Sequence, residues 1–287
     1  MLEQFWIDLA DAKHAALLLD YDGTLAPFRK ERAEAVPYPG VRERLTAIFE
    51  ETATRLVIIS GRSIDDLLPL LNLDPPPEIW GCHGWELLAA NGHRPDIPLP
   101  PRARTGLDKA GLWVAEQKLS GFSETKPASV ALHWRGLSNG QVRDLRDRVL
   151  AGWQPVANKY ELEIHPFNGG LELRCPGRDK GTAVTSILAS LDPATPVAFL
   201  GDDLTDEDGF KVIKTRGLGV LVGADGGRAG GHCAGWAPDP GRVICRVHRR
   251  AQSRCCRRVA GSARNEKGVR RPSPRARAAR NRSRRRS

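Results

Sequence analysis

The stretch LLLDYDGTLAPF, residues 17–28, sets two aspartates, Asp20 and Asp22, one residue apart between an apolar run and a glycine. A short apolar run bounded by turn residues reads as a buried strand. In a parallel α/β sheet, ligands bind beyond the carboxyl ends of the strands, which is where these two carboxylates stand. Gly23 and Thr24 then allow a tight turn whose free backbone N–H groups can face an anion.

Working outward, similar runs recur: RLVIIS at residues 55–60, PVAFLG at 196–201 and LGVLVG at 218–223. Between them lie segments of helical period. In GVRERLTAIFEET, residues 40–52, Val41, Leu45, Ile48 and Phe49 share one face. In SIDDLLPLL, residues 63–71, Ser63 can cap while Asp65 and Asp66 complement the positive helix start. DKGTAVTSILASL, residues 179–191, reads as a third helix. Strands alternating with helices predict an α/β fold with a parallel sheet.

The middle of the chain reads differently. Residues 106–119 and 140–153 predict helices, and 128–135, 160–166 and 170–175 predict strands. Alternation in ASVALHWR puts Val130, Leu132 and Trp134 on one face and Ala131, His133 and Arg135 on the other, leaving one polar face available. The expected organisation is an α/β core at 1–91 and 176–223 and a small α+β lid, or cap, at 92–175. A crossing over residues 92–105, rich in proline (Pro95, Pro98, Pro100, Pro101), joins the two.

Composition narrows the class. The chain has 287 residues, enough for a full core, and no apolar run approaches the roughly 18 residues of a membrane span. Asp8, Asp11 and Lys13 stand where a signal peptide would be apolar, so a cytoplasmic protein is expected. Six cysteines form no C-x-x-C pair and no zinc spacing with histidine, which argues against a disulfide framework or zinc site. The net charge of +10 is uneven: from Ala224 onward there are 19 Lys+Arg against 3 Asp+Glu, so residues 1–223 carry −6 and the rest +16. That segment, 224–287, has little apolar periodicity and dense like charge, and is expected to be a disordered basic tail. It reads either as an arm for polyanions such as nucleic acid or as the product of a shifted reading frame.

Polar groups follow three of the strand ends: Asp20 and Asp22, then Ser60-Gly61-Arg62, then Asp202 and Asp203; Lys180 opens the helix before the last of them. Carboxylates meeting on one rim repel by about 4 kcal/mol per close pair at an effective dielectric of 20. A hard divalent cation answers that repulsion, and Mg²⁺ is commonly held by one or two carboxylates plus substrate phosphate. Two aspartates on one turn can divide phosphate-ester hydrolysis between a nucleophile and a proton donor.

LLLDYDGTLAP, VIISGR, the lysine of RDKGTAV and GDDLTDED resemble, in order, the four motifs of haloacid dehalogenase (HAD) superfamily phosphatases. The resemblance implies a HAD-like Rossmannoid parallel-sheet core with an inserted α+β (C2-type) cap. It implies Asp20 as nucleophile and Asp22 as general acid/base, with Ser60, Gly61 and Lys180 on the phosphoryl oxygens. Asp202 would bind Mg²⁺ with the Asp20 carboxylate and the Asp22 carbonyl, supported by Asp203 and Asp206. GCHGWE (81–86) and ETKPASVALHWR (124–135), with GDDLTDED, are similar to the trehalose-6-phosphate phosphatase family. That similarity implies Glu124, Lys126 and Glu172 as ligands of sugar hydroxyls, with Arg62, His83 and Glu86 at the junction of core and cap. Trp85 or Trp134 could stack on a pyranose, or Trp134 could pack in the cap core.

The expected activity is Mg²⁺-dependent hydrolysis of trehalose 6-phosphate through an aspartyl-phosphate, by a monomer. Alternatives are another HAD sugar-phosphate phosphatase, a phosphomannomutase, or a polyanion-binding protein using the arginine-rich tail. After residue 223 the sequence offers no match to the turn, strand and helix that close such phosphatases, beyond a faint turn in PDPGRV at 238–243. Exposed apolar surface and lowered stability are expected in consequence. Gly209, inside a helical stretch, is expected to cost about 1 kcal/mol relative to Ala.

Overall fold

The computed structural model describes residues 2–29, 31–167, 169–223 and 243–246. The first helix, α1 (Leu2–Asp11), leads into β1 (Ala15–Leu19), the apolar run that precedes Asp20. Then come α2 (Val41–Glu51), β2 (Thr54–Ile59), α3 (Ile64–Leu71), β3 (Glu78–Gly81) and β4 (Glu86–Leu88). A second group follows: α4 (Pro101–Glu116), β5 (Ser123–Lys126), β6 (Ser129–His133), α5 (Asn139–Tyr160), β7 (Glu163–Phe167) and β8 (Gly170–Arg174). The chain then adds α6 (Lys180–Ala189), β9 (Val197–Gly201), α7 (Glu207–Ile213), β10 (Leu218–Gly223) and β11 (Val243–Arg246).

Seven strands form one sheet in the order β11-β10-β9-β1-β2-β3-β4, parallel except for the β3–β4 pair. Period-2 alternation covers both faces. Leu18, Val57, Ile59 and Phe199 pack on Ala183, Val184 and Ile187 of α6 and on Phe210 and Ile213 of α7. Leu19, Leu56, Ile58 and Ile79 pack on Leu45 of α2 and on Ile64, Leu67, Leu70 and Leu71 of α3. Each fully buried aliphatic side chain of this kind stabilises the fold by about 1.5–3 kcal/mol, so β1 is fixed as the central strand from both sides.

The second sheet is antiparallel, β5-β6-β8-β7. Val130, Leu132, Leu171 and Leu173 face Leu107, Ala110 and Val114 of α4 and Leu145, Val149 and Trp153 of α5. On the opposite face the register aligns Glu124, Ala131, Glu172 and His165 in one row across the four strands. Lys126, Ser129 and Arg174 make the next row on the same face. The polar surface expected from alternation is therefore built from all four strands at once.

Several boundaries depart from the sequence reading. Helix α4 begins at Pro101 rather than residue 106, because proline at the first helical position loses no intrahelical bond; the crossing ends at Pro100. Helix α5 continues through Pro155 to Tyr160, having started at Ser138, whose side chain forms a capping box with Gln141. Helix α7 is the helical stretch expected around Gly209, while helix α1 and strands β3, β4 and β5 were not anticipated. Strand β11 pairs in parallel with β10 in the region where no further element was expected. The rest of the expected tail, and with it the exposed area and both readings of the tail, lies outside the described residues. Gly209 has a packing reason: a Cβ there would stand 2.5 Å from the Phe199 ring, so glycine lets α7 approach β9. Among the described residues, no helix is long and apolar enough to cross a membrane.

Candidate active site

The carboxyl ends of β1, β2 and β9 open into a cleft whose other wall is the polar face of the second sheet. Asp20, Asp22, Ser60, Gly61, Lys180 and Asp203 line it from one side, and Glu124, Lys126, Glu172 and Arg174 from the other. Backbone bonds fix the rim: Asp20 N donates to Leu200 O at 2.9 Å, and Ser60 N donates to Trp80 O at 2.9 Å.

The acidic centre forms where β1, α6 and the loop after β9 meet. Lys180 Nζ donates to Asp20 Oδ1 at 2.6 Å and to Asp206 Oδ1 at 2.7 Å. Asp206 Oδ2 accepts the backbone N–H groups of Asp202 at 3.0 Å and Asp203 at 3.2 Å, so both its oxygens are engaged. Asp203 Oδ1 accepts from the Thr205 N–H and hydroxyl and shapes the turn. Asp20 Oδ2 and Asp202 Oδ1, in contrast, are buried without a hydrogen-bond partner among the described residues.

The charge here is unbalanced, with one ammonium facing several carboxylates. Burial pushes the Asp20 carboxyl well above its ordinary range; Lys180 opposes that push, and Asp206 and Asp202 add to it. Burial, then Asp203 and Asp206, carry Asp202 up to about 8. Carboxylate oxygens from Asp20, Asp202 and Asp206 lie within 4.8 Å of one another. An all-oxygen donor set with two orphaned oxygens and surplus negative charge fits a hard divalent cation.

Asp22 is held by Arg62. Nε donates to one carboxylate oxygen at 2.6 Å and Nη2 to the other at 2.7 Å, a bidentate pair. The same guanidinium lies 5.6 Å from the Tyr21 ring centroid, and Tyr21 is anchored by its hydroxyl, which donates to Ala35 O at 2.7 Å. The Ser60 hydroxyl accepts the Arg62 N–H at 3.2 Å.

On the cap wall, Glu172 collects Lys126 at 2.9 Å and the Ser129 hydroxyl at 2.7 Å, with His83 Nε2 at 3.5 Å and Arg174 Nε at 3.7 Å. Burial would raise the Glu172 pKa, but the Lys126 charge foremost, then His83 and the Arg174 charge, hold it well below the carboxylate range. Glu124 meets His133 at 3.1 Å and Lys126 at 3.9 Å. His83 reaches Glu172 because the Cys82-His83-Gly84 turn runs through positive φ and its N–H donates to Ser60 O at 2.9 Å.

Glu86 is a correction. It lies outside the cleft lining and accepts the Ile64 N–H at 2.8 Å, satisfying a free donor at the start of α3. Trp85 and Trp134 pack against the apolar cluster of the second sheet, so neither offers a stacking face to the cleft. The aromatic residues that line it are Phe28 and Phe167, and the further basic ones are Arg32 and Arg135. His133 was legible as part of the polar strand face. Arg135 was legible on the same face by alternation, whereas Arg32 carries no periodic signature, because it reaches the cleft from a short turn.

A family profile described as Trehalose-phosphatase (Trehalose_PPase) matches residues 18–230. A trehalose-phosphate phosphatase of Mycobacterium tuberculosis is 31 % identical over 231 residues, covering 75 % of this chain and 56 % of that protein. The chain thus spans about half the length of that relative, and 16 % of a larger mycobacterial protein it also matches. Among solved structures, the C-terminal domain of a trehalose-6-phosphate phosphatase from C. albicans aligns with a TM-score of 0.63 at 21 % identity, over 74 % of this chain and 78 % of that one. A haloacid dehalogenase-like hydrolase from B. subtilis aligns with a TM-score of 0.50 at 14 % identity, over 72 % of this chain and 89 % of that one. The parallel-sheet core is HAD-like, and with the profile covering most of the sequence the chain belongs to the trehalose-phosphatase family.

Proposed function

We propose that the protein hydrolyses trehalose 6-phosphate to trehalose and phosphate, with Mg²⁺ and through an aspartyl-phosphate on Asp20. The observation that carries this reading is the buried, unpartnered Asp20 Oδ2, beside an equally unpartnered Asp202 Oδ1, while Lys180 holds the other Asp20 oxygen. The substrate follows from the family and from relatives named for that activity.

In this mechanism Asp20 Oδ2 attacks phosphorus, and the bond from phosphorus to the sugar oxygen breaks. Asp22 gives its proton to the leaving sugar oxygen. It then takes a proton from the water that attacks the aspartyl-phosphate, releasing phosphate and restoring Asp20. Arg62 holds both Asp22 oxygens, so productive binding has to draw that guanidinium onto a substrate oxygen. Ser60, the backbone of Gly61 and Lys180 face the phosphoryl oxygens. Asp20, Asp202 and the Asp22 carbonyl would hold Mg²⁺, with Asp203 and Asp206 shaping the loop behind them; the bound ion supplies positive charge to the phosphoryl group. Glu124, Lys126 and Glu172 accept from and donate to sugar hydroxyls, with Arg62 and His83 at the junction.

Phosphate release from trehalose 6-phosphate, sucrose 6-phosphate and mannose 6-phosphate, each with Mg²⁺ or with a chelator, tests the reading. Metal-dependent release strongest from trehalose 6-phosphate is expected. Equal rates on all three sugars, or rates indifferent to the chelator, overturn it.

A further inference from the structure

Arg32 sits in a short turn, Arg32–Glu34, well before the second sheet begins in sequence. Its guanidinium nevertheless spans the cleft. Nη2 pairs with Asp66 at 2.9 Å, in the first turn of α3, while Nη1 pairs with Glu124 on β5. The Arg32 carbonyl accepts Arg62 Nη1 at 3.0 Å, which joins the same turn to the arginine that holds Asp22. A second tie lies three residues earlier, where Arg135, just past β6, donates to Arg29 O at 2.8 Å and stacks 5.7 Å from the Phe28 ring centroid. Phe28, Arg29 and Arg32 are thus the points to which β5 and the residue just past β6 are fastened.

The chemistry suits an arginine. A planar fork can present one nitrogen to each of two carboxylates, whereas a lysine offers a single point charge. Glu124 is mostly buried, at 15 % side-chain exposure, but Asp66 is 46 % exposed, so the bond to the core is the more screened of the two. Without Arg32, Glu124 would keep His133 and Lys126, both of which belong to the cap itself. Its link to the core would be lost.

We propose that Arg32 is a positioning residue that seats the cap by clamping Glu124 to Asp66, and that it yields Glu124 to a sugar hydroxyl when substrate binds. The second half rests on the reading of Glu124 as a sugar ligand; the first does not.

The test begins with hydrogen exchange in the ligand-free protein. In Arg32→Ala the amides of β5 should exchange about tenfold faster, and Asp66→Ala should reproduce the change. Asp66→Ala combined with Arg32→Ala should add nothing further. High salt should speed β5 exchange in the wild type and not in Arg32→Ala. In assays, Arg32→Ala should raise KM for trehalose 6-phosphate about tenfold and leave hydrolysis of p-nitrophenyl phosphate, too small to reach Glu124, within about twofold. Arg32→Lys, a gentler change, should fall between. Unchanged β5 exchange in both Arg32 variants overturns the clamp, and equal loss on the two substrates overturns the yielding of Glu124 to a sugar hydroxyl. A wild-type protein inactive on trehalose 6-phosphate would remove the functional reading while leaving the exchange result to decide the clamp by itself.

Discussion

Lys180 and Asp20 meet at 2.6 Å, with side chains only 3 % and 4 % exposed, so an ion pair is sealed beneath the cleft with one carboxylate oxygen left over. Burying a carboxylate oxygen without a partner is costly, and sites that tolerate the cost are commonly functional. If that oxygen is the nucleophile, Asp20→Asn should keep the fold and still bind substrate. Steady-state phosphate release should fall at least about a thousandfold. Turnover near the wild-type rate would remove Asp20 from the nucleophile role.

Metal binding should be visible without any assay of activity. Three acidic side chains with surplus charge repel in the free protein, and a divalent cation relieves that repulsion only in the folded state. Added Mg²⁺ should raise the thermal midpoint, and a chelator should return it. In Asp202→Asn the midpoint should stop responding to Mg²⁺, while the variant alone should melt no lower than wild type, since an uncharged amide replaces a carboxyl that burial already carries up to about 8. A full Mg²⁺ response in that variant would take Asp202 out of the metal set.

Much of this centre was legible because each motif begins where an apolar run ends, a pattern that local sequence expresses directly: Leu19 to Asp20, Ile59 to Ser60, Gly201 to Asp202. What escaped is what depends on pairing across the fold. Arg32 finds Glu124 only once the cap sheet has folded over β1, and no spacing in either segment encodes that meeting. Glu86 stands in a motif full of cleft residues, yet the free N–H of Ile64 claims it, a demand set by where α3 starts relative to β4. Strand β5, SETK, is too polar and short for periodicity and exists because β6 pairs with it. Trp85, read as a candidate sugar platform, was claimed by apolar packing instead, and Trp134 packs against that same cluster as its alternative reading had it.

Two groups lose their contribution to stability as pH falls, His83 and Glu124, while the raised Asp20 and Asp202 carboxyls act the other way. Burial lowers His83 to about 4 from 6.5, although Glu172 pulls the other way. The unfolded chain therefore takes up that proton first as pH falls from 6.5 to 4, and the His83 contribution drops across that window by about 3 kcal/mol. For Glu124, burial is outweighed by His133, Lys126 and Arg32, which together bring it from 4.5 to about 2. Its contribution is complete above 4.5 and fades as pH falls toward 2. Urea unfolding of the wild type and His83→Gln, compared between pH 7 and 4, isolates the first loss, because the raised Asp20 and Asp202 carboxyls, which act in the opposite direction over this window, are common to both proteins. The wild type should lose stability relative to His83→Gln. An equally steep dependence in that variant would show that His83 is not its source.

The tight turn after Asp22 offers a final test, because two costs of adding a single methyl can be separated. Gly23 has φ +89°, and a Cβ placed there would lie 2.0 Å from Asp202 Oδ2. Gly92 has φ +79° but no atom within 4 Å of the same position. Gly92→Ala therefore measures the left-handed backbone cost alone, about 1–2 kcal/mol, and should leave Mg²⁺ affinity and turnover as they are. Gly23→Ala carries that cost and also drives the Asp202 carboxylate away from Asp20. It should melt lower than Gly92→Ala, lose the midpoint rise with Mg²⁺ and fall at least about a hundredfold in phosphate release. If the two alanine variants instead behaved alike in Mg²⁺ response, the close seat of Asp202 against the first turn would not be what holds the metal site together.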